Sequence, residues 1–457
     1  MRRRSSAQLM RIACLLLAAG GALGCGRRSA VQQPLPKWEF GFWFWNGSSA
    51  KVRAGAGPVD VLFFQAGTIR HHRYLGPREP WKVHGNLPAE LPPAREYWLV
   101  FRADDHVIPG LQSAPILARV IGELQSEARR RGLNVAGIQL DIDSQTRALP
   151  EYAAYLREVR KSLPADVRIS ITALLDWFRP GTAIADVVKA VDEFVPQFYD
   201  LQNPGIGHRP AIAARIDAAK WGPVFNRHGT RFRIGVSTFG RSRLVPAEPR
   251  PAGFVYYPDL KPLDIALNPA FTLETSRTEA KEQVLRYRAS RKTRIGYTDF
   301  DPGAVFEFVL STPEAIRAAV EQVRLMGEYC AGVVFFRWPS FNESMTAEPD
   351  EVLASAGASP RPGKPVALRV VDERCALVHC ADLYLTNTPA PQAAALRYAV
   401  DISTELEYFL PDDKTPARMT APGRLEVTLP PWCGRTQLHL GRAVTAKPAQ
   451  YTLKAMP

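Results

Sequence analysis

The sequence predicts an α/β protein: a (β/α)8 barrel of the TIM type followed by a small all-β, sandwich-like C-terminal domain. Three observations carry that prediction. Eight apolar strand-like runs, several separated by helical patterns, fall within about three hundred residues, the size of one such barrel. Residues 133–145 alternate strictly, with Ile138, Leu140 and Ile142 on one face and Gln139, Asp141 and Asp143 on the other, between two helical patterns. Beyond residue 365 only short β segments follow, with no helical period.

A strand between two helices belongs to a parallel sheet with a helical layer packed on it. In a closed barrel the apolar face meets the helices and the polar face looks inward. Barrel interiors normally hold Val, Ile and Leu, so a Gln-Asp-Asp row there is costly unless it performs a task. Residues 133–145 are therefore expected to form the bottom and rim of an active site.

Taken in order, strands are expected at residues 38–45 (strongly aromatic), 60–69, 96–102, 133–145, 168–177, 194–200, 231–241 and 331–338. Helices are expected at 113–131, 149–163, near 183–190, near 211–220 and at 313–326, the last opened by Pro313. A long insertion at about 242–312 contains one further strand, 305–310. The first three units lack clear helical patterns. An open doubly wound sheet is the rival fold, but no Gly-rich phosphate loop follows an early strand. Residues 355–365 read as a linker, and 366–371, 383–386, 396–402, 424–429 and 436–440 as strands of a domain spanning 366–457.

The first residues stand outside this scheme. Arg2, Arg3, Arg4 and Arg11 precede a short apolar run, and Ala22-Leu23-Gly24-Cys25 closes it. The run is too short for a membrane span and reads as a secretory signal over residues 1–25, with 26–37 as a tether and the barrel at 38–354. Gly24-Cys25 resembles the lipobox of bacterial lipoproteins, which implies a lipid on Cys25, a membrane anchor and a place in the cell envelope facing the periplasm or exterior. Ordinary cleavage nearby is the alternative.

The formal net charge is +13. A basic surface favours anionic partners such as acidic polysaccharide or phosphorylated envelope polymer, although solubility is the plainer reading. No basic run interleaved with aromatics points to nucleic acid. Of six cysteines, Cys375, Cys380 and Cys433 lie near the C-terminus, where an oxidising envelope permits one disulfide; the pairing is open, with Cys330 a further candidate. None has zinc-site spacing.

Chemistry in such barrels gathers at the C-terminal strand ends. Those ends supply Trp43, Trp45, Asn46, Gln65, Arg102, Asp104, Asp105, Asp141, Asp143, Asp176, Trp177, Gln197, Tyr199, Asp200, Ser237, Phe239, Arg337 and Trp338. Carboxylates and aromatics dominate, without His or Cys. That argues against a metal, a cofactor or a Ser-His triad, and suits sugar rings stacking on aromatics between two carboxyl groups.

Four short motifs in order resemble family 18 glycoside hydrolases, the chitinase-like enzymes. Residues 136–143 are similar to that family's Asp-Gly-hydrophobic-Asp-hydrophobic-Asp-x-Glu. Gln197-Phe198-Tyr199-Asp200 resembles its Met-x-Tyr-Asp, and residues 235–241 its Gly-x-Pro-x-Tyr-Gly-Arg. Trp338 falls where the family has a Trp flooring the sugar pocket. The chain also resembles an uncharacterised bacterial lipoprotein family, a domain of unknown function (DUF3142).

The chitinase resemblance implies Asp143 as general acid, Asp141 as its partner and positioner, and Gln139 in place of the inner Asp. Tyr199 and Asp200 would hold the reacting sugar, with Gln197, Trp43, Trp45, Arg337 and Trp338 lining its site. The sugar's own acetamido oxygen would serve as nucleophile. The expected partner is thus a polysaccharide or oligosaccharide of the bacterial surface or secretions. The departures matter: Asp143 is one methylene shorter than Glu, and an Asp acid near neutral pH needs its pKa raised by about three units, roughly 4 kcal/mol. Repulsion from Asp141 supplies part of that. Other readings remain open. Asp141 and Asp143 could be a buried pair satisfied by Arg102 or Arg337, Tyr199 and the tryptophans could be core, and Glu343 is a minor rival acid. A non-catalytic glycan-binding or envelope-assembly lipoprotein is the alternative function.

Overall fold

The computed structural model describes residues 38–45, 52, 57–71, 81–103, 107–199, 216–245, 247, 262–279, 281–296, 298–340, 343–358, 365–373, 375, 378–388, 394–412, 415, 417–432 and 437–457. Cys25, Asn46, His72, Asp104, Asp105, Asp200 and Cys433 lie outside them, as do the expected signal and tether.

Eight parallel strands close into a barrel: β1 (Glu39–Phe44), β2 (Val59–His71), β3 (Ala94–Ala103), β4 (Val135–Asp141), β5 (Arg168–Ala173), β6 (Glu193–Pro196), β7 (Arg231–Ser237) and β8 (Cys330–Trp338). Each pairs with its sequence neighbour, β8 pairs with β1, and β1 with β2, so no barrel edge is left open. The fold class expected from the sequence is therefore the one observed. A ninth strand joins this sheet beyond the expected eight: Trp81–Gly85 runs antiparallel along the far part of β2.

The outer layer is built from α1 (Ser113–Arg130), α2 (Leu149–Ser162), α3 (Ile184–Val188), α4 (Ala218–Asn226), α5 (Pro313–Arg324) and α6 (Pro349–Ser355). In α1, Ala114, Leu117, Val120, Ile121, Leu124 and Ala128 recur at helical spacing and are buried. Arg129 and Arg130 sit in the last turn, where cations complement the helix dipole, and Gly132 at φ 71° ends the helix. Thr312 caps α5 by accepting a 3.1 Å hydrogen bond from the Ala315 N–H, with Pro313 next. β5 is shorter than expected: it stops at Ala173, and Leu175–Phe178 forms a 3-10 turn. Trp177 is pulled from the strand line because its indole N–H donates to the Ser144 carbonyl at 3.0 Å.

The insertion after β7 forms an antiparallel sheet in the order Phe271–Glu279, Glu282–Ala289, Val305–Leu310, Arg241–Val245. Beyond α6, two four-stranded antiparallel sheets bury Leu383, Leu385, Val400, Leu425, Val427 and Leu440 between them, the expected sandwich. It has more strands than the sequence pattern gave: Leu406–Pro411, Ala417–Ala421 and Tyr451–Met456 are additional. Cys375 and Cys380 form its disulfide, with Cα atoms 6.0 Å apart. Trp432 is buried against Phe308 of the insertion sheet, ring centroids 5.5 Å apart.

The barrel interior is layered. At the N-terminal end Glu39, Glu193 and the fully buried Arg233 interlock: Arg233 donates to Glu39 at 2.6 Å and also to Glu193. Arg231 reaches both carboxylates and Arg95 reaches Glu39. Above this ionic plug lies an apolar layer of Val61, Phe63, Trp98, Val100, Val195 and Val334 with Trp43. Everything polar above that layer belongs to the opposite, C-terminal end.

Candidate functional site at the C-terminal end of the barrel

Strand β4 delivers its alternating face inward as expected. Gln139 is fully buried, accepting a 2.7 Å hydrogen bond from the Trp43 indole N–H and donating at 3.1 Å to Ser170 Oγ. Two residues on, Asp141 is 7% exposed and accepts a 2.7 Å hydrogen bond from Thr172 Oγ1. Asp143, just past the strand end, is half-buried. Gly137 is required beneath them, because a Cβ there would collide with the Arg168 carbonyl and the Trp98 ring.

Tyr199 lies beside both carboxylates. Burial pushes its hydroxyl pKa well above 10.0, and the charges of Asp141 and Asp143 push it further in the same direction. The phenol therefore stays protonated, a donor at any ordinary pH. Its ring stacks on Phe336 at 4.8 Å, with Trp43 edge-on at 5.9 Å. Phe336 is also flanked by Phe239 at 5.5 Å and Trp45 at 6.2 Å. Trp45, Phe239 and Phe336 are all half-buried, so solvent reaches part of this aromatic wall.

The structure places Gln139, Asp141, Trp43 and Tyr199 at this end of the barrel, with Trp45 joined to them through Phe336. It changes one assignment. Trp338 has no exposed surface and packs edge-on against Phe42 at 5.3 Å. The cause is a bulge: Phe42 pairs with Phe335 but Phe44 pairs with Trp338, so Phe336 and Arg337 together face Trp43 and the alternation slips. Trp338 lands on the outer face, and Phe336 takes the inward place expected for it. Plain alternation along residues 331–338 places Phe336 and Trp338 on one face, which the bulge undoes.

Arg337 donates to Glu343 at 2.7 Å and 3.4 Å, whereas Arg102 Nε stands 4.0 Å from Asp141 Oδ2. Glu343 also accepts from the Ser340 N–H at 3.0 Å and from Thr346 Oγ1. Burial raises the Glu343 pKa, but the Arg337 charge and these hydrogen bonds outweigh it and leave it lowered. A carboxyl held ionised in this way is a poor proton donor, which removes Glu343 as a rival acid. Gln197 is half-buried at the end of β6, its backbone bridging to Gly235. Asp176 is outside the site, in the 3-10 turn, paired with Arg179 at 2.7 Å on the surface. His71 ends β2 exposed, edge-on to Trp81.

Residues 94–251, which span β3 to β7 and include the Asp pair and Tyr199, match the family model described as a domain of unknown function (DUF3142). No curated protein matches the chain. Among solved structures, the spore cortex-lytic enzyme SleL of Bacillus megaterium is similar at TM-score 0.45 and 11% identity, covering 70% of this chain and 74% of that one. A chitinase of Rhizomucor miehei follows at 0.41 and 10%, covering 70% and 98%. A GH18 chitinase of Cycas revoluta, solved in complex with (GlcNAc)4, gives 0.40 and 12%, covering 70% and 97%.

Proposed function

We propose that this protein is a glycoside hydrolase-like barrel acting on a bacterial surface or secreted polysaccharide containing N-acetylamino sugars, held to the cell envelope by a lipid on Cys25. One arrangement supports the reading: β4 sets Gln139 and Asp141 inside the barrel, tied to Trp43 and Thr172, beside a wall in which Tyr199 meets Trp43 and stacks on Phe336. In this reading Asp143 gives a proton to the leaving glycosidic oxygen. Asp141, fixed by Thr172, keeps a negative charge beside it and steadies the cation that develops on the sugar and its acetamido group. Tyr199 donates a hydrogen bond to the acetamido oxygen as that oxygen closes on the anomeric carbon. Trp45, Phe239 and Phe336 offer the sugar its apolar faces.

The test is turnover of aryl glycosides of N-acetylglucosamine oligomers. Asp143→Asn is expected to lower kcat by about 10²- to 10⁴-fold with little change in KM. Asp143→Glu, which restores the longer acid of the chitinase-like motif, is expected to retain turnover. A second reading is favoured by one observation: Gln139, standing where that motif has a third acid, is locked between Trp43 and Ser170 and cannot exchange protons. A glycan-binding protein without turnover would bind the same oligomers with an affinity that Asp143→Asn leaves unchanged.

A further inference from the structure

Four arginines on barrel strands donate hydrogen bonds to acids. Arg168 donates to Glu96 at 2.9 Å, Arg231 and Arg233 to Glu39 at 2.5 Å and 2.6 Å, and Arg337 to Glu343 at 2.7 Å. Arg102 has an acid only at the edge of ion-pair range. It follows Trp98 and Val100 on the inward face of β3, directly opposite Asp141 in register. Its nearest acid contact is Nε to Asp141 Oδ2 at 4.0 Å, beyond hydrogen-bond range, and its side chain is 45% exposed. Asp141 already has Thr172 on its other oxygen. An ion pair at that distance and exposure contributes little. Arg102 therefore presents a planar fork of N–H donors at the rim of the site, the geometry that receives carboxylate or phosphate in two parallel hydrogen bonds.

We infer that the sugar seated next to Asp141 carries an anionic group, and that Arg102 receives it. The inference rests on the glycan reading above and narrows it from N-acetylated polysaccharide in general to an acidic one. Four of the arginines behind the chain's +13 lie in the expected signal, and the +9 that remains from Cys25 onward favours the approach of such a polymer. The neighbouring Asp141 sharpens the choice, since without a cation at this point its charge would repel an acidic sugar.

The experiment is calorimetric binding to the full chain carrying Asp143→Asn, so that no turnover intrudes. Three tetrasaccharides are compared: neutral N-acetylglucosamine tetramer, hyaluronan tetramer with a carboxylate on alternate sugars, and a phosphorylated N-acetylglucosamine tetramer. One or both acidic tetramers are expected to bind about tenfold or more tighter than the neutral one, and which of them does so separates carboxylate from phosphate. Adding Arg102→Gln is expected to bring that preference to within about twofold, and Arg102→Lys to keep part of it. Equal affinity for all three, or a preference that Arg102→Gln leaves intact, overturns the inference while the glycan reading stands. Binding of none of the three overturns both.

Discussion

Thr172 Oγ1 donates a 2.7 Å hydrogen bond to Asp141 Oδ1 across the β4–β5 pair, and both groups are buried. This contact fixes the carboxylate that the proposed chemistry needs charged and still. Thr172→Val keeps the shape and removes the donor. It is expected to lower kcat by about tenfold and to cost about 1–3 kcal/mol of stability, read from urea unfolding, because a buried acceptor loses its partner. Thr172→Ser should restore most of both. An unchanged kcat in a well-folded Thr172→Val protein would mean that Asp141 takes no part.

Much of this site was legible in the sequence, and the reasons are local. Strict alternation at residues 138–143 fixed which side chains of β4 point inward, because a strand has no other way to place them. What escaped depended on pairing between distant strands. The slip that turns Trp338 outward arises from β8 meeting β1, and nothing within residues 331–338 announces it. The ionic plug was missed for the same reason: Glu39, Glu193 and Arg233 are far apart in the chain, and each reads alone as a stray charge in an apolar run. The shortening of β5 follows from the Trp177 bond to Ser144, again a contact between separate loops.

That plug sets the acid limit of the fold. Burial raises the Glu39 pKa, but Arg233, Arg231 and Arg95 outweigh it and leave the value below the ordinary 4.5. A lowered carboxylate contributes stability that is complete above pH 4.5 and lost as pH falls through the folded value. Stability measured by urea unfolding at fixed pH is therefore expected to be flat from this source near neutrality and to fall below about pH 4.5. Arg233→Met leaves two buried carboxylates short of a partner and is expected to cost about 3–5 kcal/mol. A loss under 1 kcal/mol would show that the plug's ions are not coupled to folding.

Cys330 opens β8 and is a buried free thiol, pushed up to about 12 by burial. A thiol in that state has almost no thiolate at pH 8, so iodoacetamide should leave it unmodified in the folded protein. Peptide mass mapping is expected to find Cys330 alkylated only after unfolding, and Cys375 and Cys380 alkylated only after reduction. Rapid labelling of Cys330 in native protein would contradict its place in the barrel wall.

Tyr199 offers the sharpest separation of chemistry from packing. Its ring stacks on Phe336, and its hydroxyl is the part that feels Asp141 and Asp143. Tyr199→Phe keeps the ring and deletes the hydroxyl, so the melting temperature is expected to move by only a few degrees. Turnover should fall by about 10- to 100-fold if the hydroxyl donates to the acetamido oxygen. The pH dependence gives an independent check. A tyrosine whose folded pKa is raised contributes stability that is complete below 10.0 and lost as pH rises through the folded value. Above pH 10 the parent protein should therefore lose stability faster than Tyr199→Phe, whose side chain cannot ionise. Parallel stability curves in that range would place the Tyr199 hydroxyl in contact with solvent and remove it from the neighbourhood of the two aspartates.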